Sequence, residues 1–143
     1  MLILDTNVLS EVLRPEPDAG IQAWLRSQAP TSVFTTAITQ AEIMYGIAIM
    51  PKGQRQSTLL TAATLMFEDD FRGRILPFNS DAAEVYAAIA SARRLAGQPI
   101  SQADGQIAAI TQSRGGRLAT RNVSDFTNCG IEIVNPWDAR VKP

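Results

Sequence analysis

The chain has 143 residues, of which 45% are hydrophobic, and a net charge of −1, enough apolar chain for one domain spanning residues 1–143 without disulfide or metal support. It has no histidine and a single cysteine, Cys129, which excludes Ser-His and Cys-His nucleophiles, histidine bases and the common zinc sites. No apolar run approaches the ~20 residues of a bilayer span and residues 1–5 carry no basic leader, so a cytoplasmic location with no membrane partner is expected.

Leu2-Ile3-Leu4 is continuously apolar and stops at Asp5, as a parallel strand buried on both faces does. Val8, Leu9, Val12 and Leu13 follow at helical spacing, so the strand feeds a helix through a very short turn; Pro15 and Pro17 end it. A second helix is predicted over residues 18–28, with Ile21, Trp24 and Leu25 on one face and Trp24 in the core. Residues 32–35 read as a strand. Residues 39–50 have helical periodicity, and Thr39-Gln40-Ala41-Glu42 matches a capping box that places Glu42 in the first turn. Met44, Tyr45 and Met50 lie on this helix as core or partner-facing residues.

Pro51-Lys52-Gly53 breaks the pattern. Leu59 to Met66 marks another helix, followed by acidic Glu68-Asp69-Asp70. Residues 74–78 form a strand candidate, 80–95 a helix stopped by Gly97 and Pro99, and 101–114 a helix stopped by Gly115-Gly116. Strands are predicted at 118–120 and 131–134, the last ended by Pro136. Strands alternating with helices throughout indicate an α/β fold with a mainly parallel sheet.

In such sheets ligands bind beyond the carboxyl ends of the strands. Asp5, Thr35-Thr36 and Thr120-Arg121-Asn122 fall at such ends, and Glu42 and Asp104 fall near helix N-termini that face the same edge. Each acid also has a plain structural role open to it: Asp5 as a helix cap, Glu42 and Asp104 in capping patterns, Asp125 as a turn residue. Carboxylates brought together repel one another unless a cation offsets them. Magnesium prefers oxygen ligands, and it can acidify water and shield a phosphodiester. The thirteen basic residues are eleven Arg and two Lys, Lys52 and Lys142, and Arg suits phosphate contacts.

Four ordered motifs carry a resemblance that spans essentially the whole chain. They are residues 2–11 (LILDTNVLSE), 36–46 (TAITQAEIMYG), 100–110 (ISQADGQIAAI) and 118–126 (LATRNVSDF), followed by Val134-Asn135-Pro136-Trp137. In these the chain resembles the PIN-domain family, and especially its VapC/FitB-like toxins. The resemblance implies a three-layer α/β/α fold and a magnesium-dependent endoribonuclease, with manganese as the other ion to consider. It implies that Asp5, Asp104 and Glu42 hold the metal and that Asn122 completes the catalytic set. Thr6, Asn7, Thr120 and Arg121 would line the substrate pocket, with Asp125 in support. Many family members carry an acid where this chain has Asn122, which puts a second metal in doubt more than the first. The implied partners are an RNA substrate, a second copy in a homodimer, and a small antitoxin with a DNA-binding N-terminal half, in a larger hetero-oligomer. Arg14, Arg93, Arg94 and Arg121 are candidate contacts to the RNA backbone, with solvated surface charge as the equal alternative for most of them.

Two other readings compete. A dehalogenase-type phosphatase would carry a second Asp two residues after Asp5, where this chain has Asn7, and neither a receiver-like acidic pair nor a dinucleotide fingerprint is present. A catalytically weak binding module of the same fold is the second alternative.

Overall fold

Three consecutive buried residues, Leu2–Leu4, make strand β1. Leu2 and Leu4 point into one apolar cluster and Ile3 into another, as the period-two alternation of a strand requires. Both faces of the sheet are covered, which is why the strand reads as an unbroken apolar run. The computed structural model describes residues 1–139; Lys142 and the end of the expected domain lie outside them.

The five strands are β1 (Leu2–Leu4), β2 (Val33–Thr36), β3 (Ile75–Leu76), β4 (Arg117–Ala119) and β5 (Glu132–Val134). All pair in parallel, in the order β3-β2-β1-β4-β5. Helices α1 (Thr6–Val12), α2 (Ala19–Arg26), α3 (Ala37–Ala48) and α4 (Gln54–Leu65) supply the core with Leu2 and Leu4. Helices α5 (Ser80–Leu95) and α6 (Gln102–Ser113) supply the core with Ile3. The result is the expected α/β/α sandwich, with a short α7 (Pro136–Ala139) after β5. No helix among the described residues is long and apolar enough to cross a membrane.

The chain moves outward from β1 through β2 to β3, then returns to the other side of β1 as β4. The strand order therefore reverses between β1 and β4, and a crevice opens at the carboxyl ends of that pair. The close approach of α5 and α6 behind it uses Gly105, where a Cβ would stand 2.7 Å from the Tyr86 ring.

Several boundaries differ from expectation. Helix α3 begins at Ala37, not at Thr39, because the Thr36 hydroxyl accepts the Thr39 N–H at 3.1 Å. Thr39 is fully buried and is not a cap, so the capping box is incorrect and Glu42 sits one turn deeper. Helix α4 starts earlier than predicted, at Gln54, and runs into a π-helical turn over Met66–Asp70 that takes up the acidic triplet. Residues 74–78 contribute only the two-residue β3. Trp24 is buried in the core as expected.

Candidate active site

Asp5 follows β1 directly, and its N–H donates to the Ala119 carbonyl at 2.9 Å, which continues the β1–β4 ladder by one residue. Its carboxylate is 4% exposed. Oδ1 accepts the Thr6 N–H at 2.8 Å and caps α1. Oδ2 accepts the Thr120 hydroxyl at 2.7 Å and the Asn7 amide at 3.3 Å. The helix cap and the candidate site acid are thus the same side chain.

Thr120 is fully buried beneath the site. Its hydroxyl oxygen also accepts from the Asn7 side-chain amide and the Asn122 N–H, each at 3.1 Å. Asn7 Oδ1 in turn accepts the Arg121 N–H at 3.1 Å. Asn7 and Thr120 therefore fix the Asp5 carboxylate and tie the segment after β4 to α1. On the other side, the Thr6 hydroxyl donates to Glu42 Oε1 at 2.8 Å and lies 3.1 Å from the Thr39 hydroxyl.

A cavity of about 560 Å³ opens above these groups, and Asp5, Glu42 and Asp104 all line it. Asp104 lies in the first turn of α6, where its N–H donates to the Ser101 cap at 3.2 Å. Burial pushes the Asp5 carboxyl up to about 6, and the charges of Asp104 and Glu42 push the same way against the Thr120 and Thr6 hydrogen bonds. Asp104 is also raised, first by burial and then by the charges of Asp125 and Glu42. A carboxylate held this high is penalised by burial more than its hydrogen bonds offset, and a cation beside it would favour the ionised form.

Among the described residues, no three acidic side chains stand close enough to enclose an ion by themselves. The lining is an open set of hard oxygen donors, and it leaves room for the several waters that magnesium retains. The donor chemistry and the uncompensated Asp5 charge both fit such an ion.

Thr6, Asn7, Arg121 and Asn122 line the same cavity. Asp125 does not line it; the charge of Asp125 reaches Asp104 from the short 3-10 turn Val123–Phe126. Arg94 is exposed on α5, away from the cavity lining. Arg93 overturns its expectation as an RNA contact: it is 6% exposed and donates to the carbonyls of Gln98 (2.6 Å), Asp125 (3.1 Å) and Thr127 (2.7 Å).

Sequence reasoning missed Ser10, Glu11 and Trp137 as lining residues. Asn7, Ser10 and Glu11 recur at 3 and 1 residues along α1, with Arg14 just past its end, a polar helix face that was readable as such. Trp137, on α7, carried no comparable signal.

A family model described as PIN domain matches residues 2–128. VapC ribonuclease Y4jK of Sinorhizobium fredii is 38% identical over 138 residues, covering 96% of this chain and 99% of that protein. Toxin FitB of Neisseria gonorrhoeae is 39% identical over 137 residues, with 96% and 99% covered. A structure of FitAB bound to an IR36 DNA fragment superposes with a TM-score of 0.89 at 39% identity, covering 96% of each chain. Relatives of equal length that align from end to end leave one assignment: the chain belongs to the PIN domain family, among its VapC/FitB-like toxins.

Proposed function

We propose that this protein is a magnesium-dependent endoribonuclease that acts as the toxin of a toxin–antitoxin pair. The observation that carries the reading is the sharing of one cavity by Asp5, Glu42 and Asp104, with the Asp5 carboxyl raised to about 6. The names of the relatives, a VapC ribonuclease and a FitB toxin, support the substrate and the role.

Asp5, Asp104 and Glu42 would hold the ion, directly or through water. A bound magnesium or manganese ion supplies Lewis acidity, making water a better nucleophile and screening the phosphodiester charge. Thr120 and Asn7 hold the Asp5 carboxylate in one orientation through Oδ2. Thr6 does the same for Glu42. Asn122 adds a neutral group to the rim, which lowers the negative charge available to a second ion, while the charge of Asp125 adds to the negative field at Asp104 from outside the cavity. Water adds to phosphorus as the bond to the leaving ribose oxygen breaks.

The partner would be a small antitoxin with a DNA-binding N-terminal half, by analogy with the FitAB–DNA complex. An apolar groove of about 530 Å³ between α1, α3 and α4 suits its remaining segment. The groove is continuous with the acid cavity through Thr6, Ser10, Arg14 and Glu42. Tyr45 and Ile49, one turn apart on α3 and about two-thirds exposed, suit a contact in the expected homodimer and hetero-oligomer.

The test is incubation of antitoxin-free protein with total cellular RNA, in magnesium or in EDTA, beside Asp5→Asn. Discrete fragments should appear only with magnesium and the native residue, and loss of one principal ligand should cost about 10³-fold in rate. Metal-independent fragments, or equal cleavage by the variant, would overturn the reading.

A further inference from the structure

Two arginines line the acid cavity, Arg14 and Arg121, and they are not equivalent. Arg14 Nη1 lies 3.2 Å from both carboxylate oxygens of Glu11, which is itself 7% exposed. Its Nη1 is paired with Glu11, although the side chain as a whole is 64% exposed. The Arg121 guanidinium has no hydrogen bond or ion pair among the described residues; it lies over the Trp137 ring, 5.0 Å from the centroid.

That arrangement leaves the side-chain N–H donors of Arg121 without a partner among the described residues while seating the cation on the Trp137 ring. The backbone on one side is anchored by the Arg121 N–H on Asn7 Oδ1. The platform on the other side is anchored too. Trp137 packs against the core beside Val134, and its N–H donates to Asn135 Oδ1 at 3.0 Å. An unheld arginine gives up rotamer freedom when it clamps an anion. Stacking on an indole removes part of that cost beforehand. A free, oriented guanidinium beside a cluster of carboxylates has one suitable ligand, an anion that also approaches the cluster. In a nuclease that anion is a phosphate of the substrate backbone.

We infer that Arg121 and Trp137 form a phosphate subsite for the RNA nucleotide next to the scissile one, with Trp137 as the positioning residue on whose ring the guanidinium rests. The inference rests on the ribonuclease reading and adds a division of labour between the two cavity arginines.

The test is binding of a fluorescein-labelled, mixed-sequence RNA 12-mer, with calcium in place of magnesium, at several salt concentrations. Gel electrophoresis confirms that the RNA stays intact. Arg121→Gln should weaken binding about fivefold and lower the salt slope by about 0.7, the value of one single-strand phosphate. Trp137→Leu should weaken binding about threefold, and Trp137→Phe should stay close to wild type. The double variant Arg121→Gln/Trp137→Leu should bind no more weakly than Arg121→Gln alone. Melting temperatures read in parallel separate loss of fold from loss of the platform. An unchanged salt slope in Arg121→Gln overturns the subsite, and full additivity in the double variant overturns the role of Trp137. If wild-type protein neither binds the 12-mer nor cleaves total RNA, the ribonuclease reading falls as well; if it cleaves while Arg121→Gln keeps the wild-type slope, only this inference falls.

Discussion

Asp5 and Arg93 are buried to nearly the same degree, 4% and 6% exposed, and they meet burial in opposite ways. Arg93 is well partnered: its Nε donates to the Gln98 carbonyl and its Nη1 to those of Asp125 and Thr127, with the Cys129 sulfur at 3.6 Å from Nη1. Asp5 is held by two hydroxyl or amide donors and a backbone N–H, yet burial, and after it the charges of Asp104 and Glu42, raises its carboxyl to about 6. Burial alone therefore does not mark a functional charge. A buried charge completed by the fold is structural; a buried charge left uncompensated at a cavity is poised for a ligand.

The largest effect that would break this contrast concerns Arg93. Arg93→Met leaves three loop carbonyls without their donor and should cost about 3–5 kcal/mol in urea unfolding. Arg93→Lys, which keeps the charge but loses the planar fork, should recover less than half of it. A loss below about 1 kcal/mol in the Met variant would mean that the socket is not structural.

Asp5 should give a smaller effect of opposite sign. Unfolded, its carboxyl ionises near 3.8; folded, near 6. Between these values the folded state holds the extra proton, so Asp5 makes stability fall as pH rises from about 4 to about 6 and then level off. The gap corresponds to about 3 kcal/mol. Metal-free Asp5→Asn should lack this decline and be the more stable protein at pH 7. Millimolar magnesium should raise the wild-type melting temperature at pH 7 and leave that of Asp5→Asn unchanged. A parallel pH decline in both proteins would place the uncompensated charge elsewhere.

The smallest effect sharpens the comparison within the site. Thr120→Val removes the 2.7 Å donor to Asp5 Oδ2, one of the bonds that lowers the Asp5 carboxyl. It should destabilise by about 1 kcal/mol at pH 7 and move the stability decline to higher pH. The same variant should lose about 10- to 100-fold in magnesium affinity, as other losses of an orienting partner do. Calorimetric titration reads the affinity, and equal affinity in both proteins would reduce Thr120 to a packing residue.

The sandwich was legible because β1 is buried on both faces and reads as an apolar run, because strands alternate with helices along the chain, and because Ser101 and Asp18 stand at the starts of their helices as caps. The start of α3 was not. Thr36 and Thr39 are both plausible caps in sequence, and only the burial of Thr39 decides between them. Asp5, Glu42 and Asp104 were legible as acids near one sheet edge, but their shared cavity depends on the order in which the strands pair. Arg93 was misread because it adjoins the exposed Arg94 on α5, while its acceptors Asp125 and Thr127 lie more than thirty residues away in sequence. The polar face of α1 was present in the spacing of Asn7, Ser10 and Glu11. The stacking of Arg121 on Trp137 joins a loop to a terminal helix and leaves no periodic trace.

Asp5 and Thr120 are 115 residues apart in the chain and joined by one hydrogen bond. During synthesis the N-terminal part leaves the ribosome first, so Asp5 emerges early while β4 and the hydroxyl that orients its carboxylate arrive near the end. Until β4 takes its place beside β1, neither the crevice nor the lining from Arg121 onward exists. The growing polypeptide accordingly carries Asp5 without its orienting hydroxyl, and the cavity is assembled only once β4 has emerged and paired with β1.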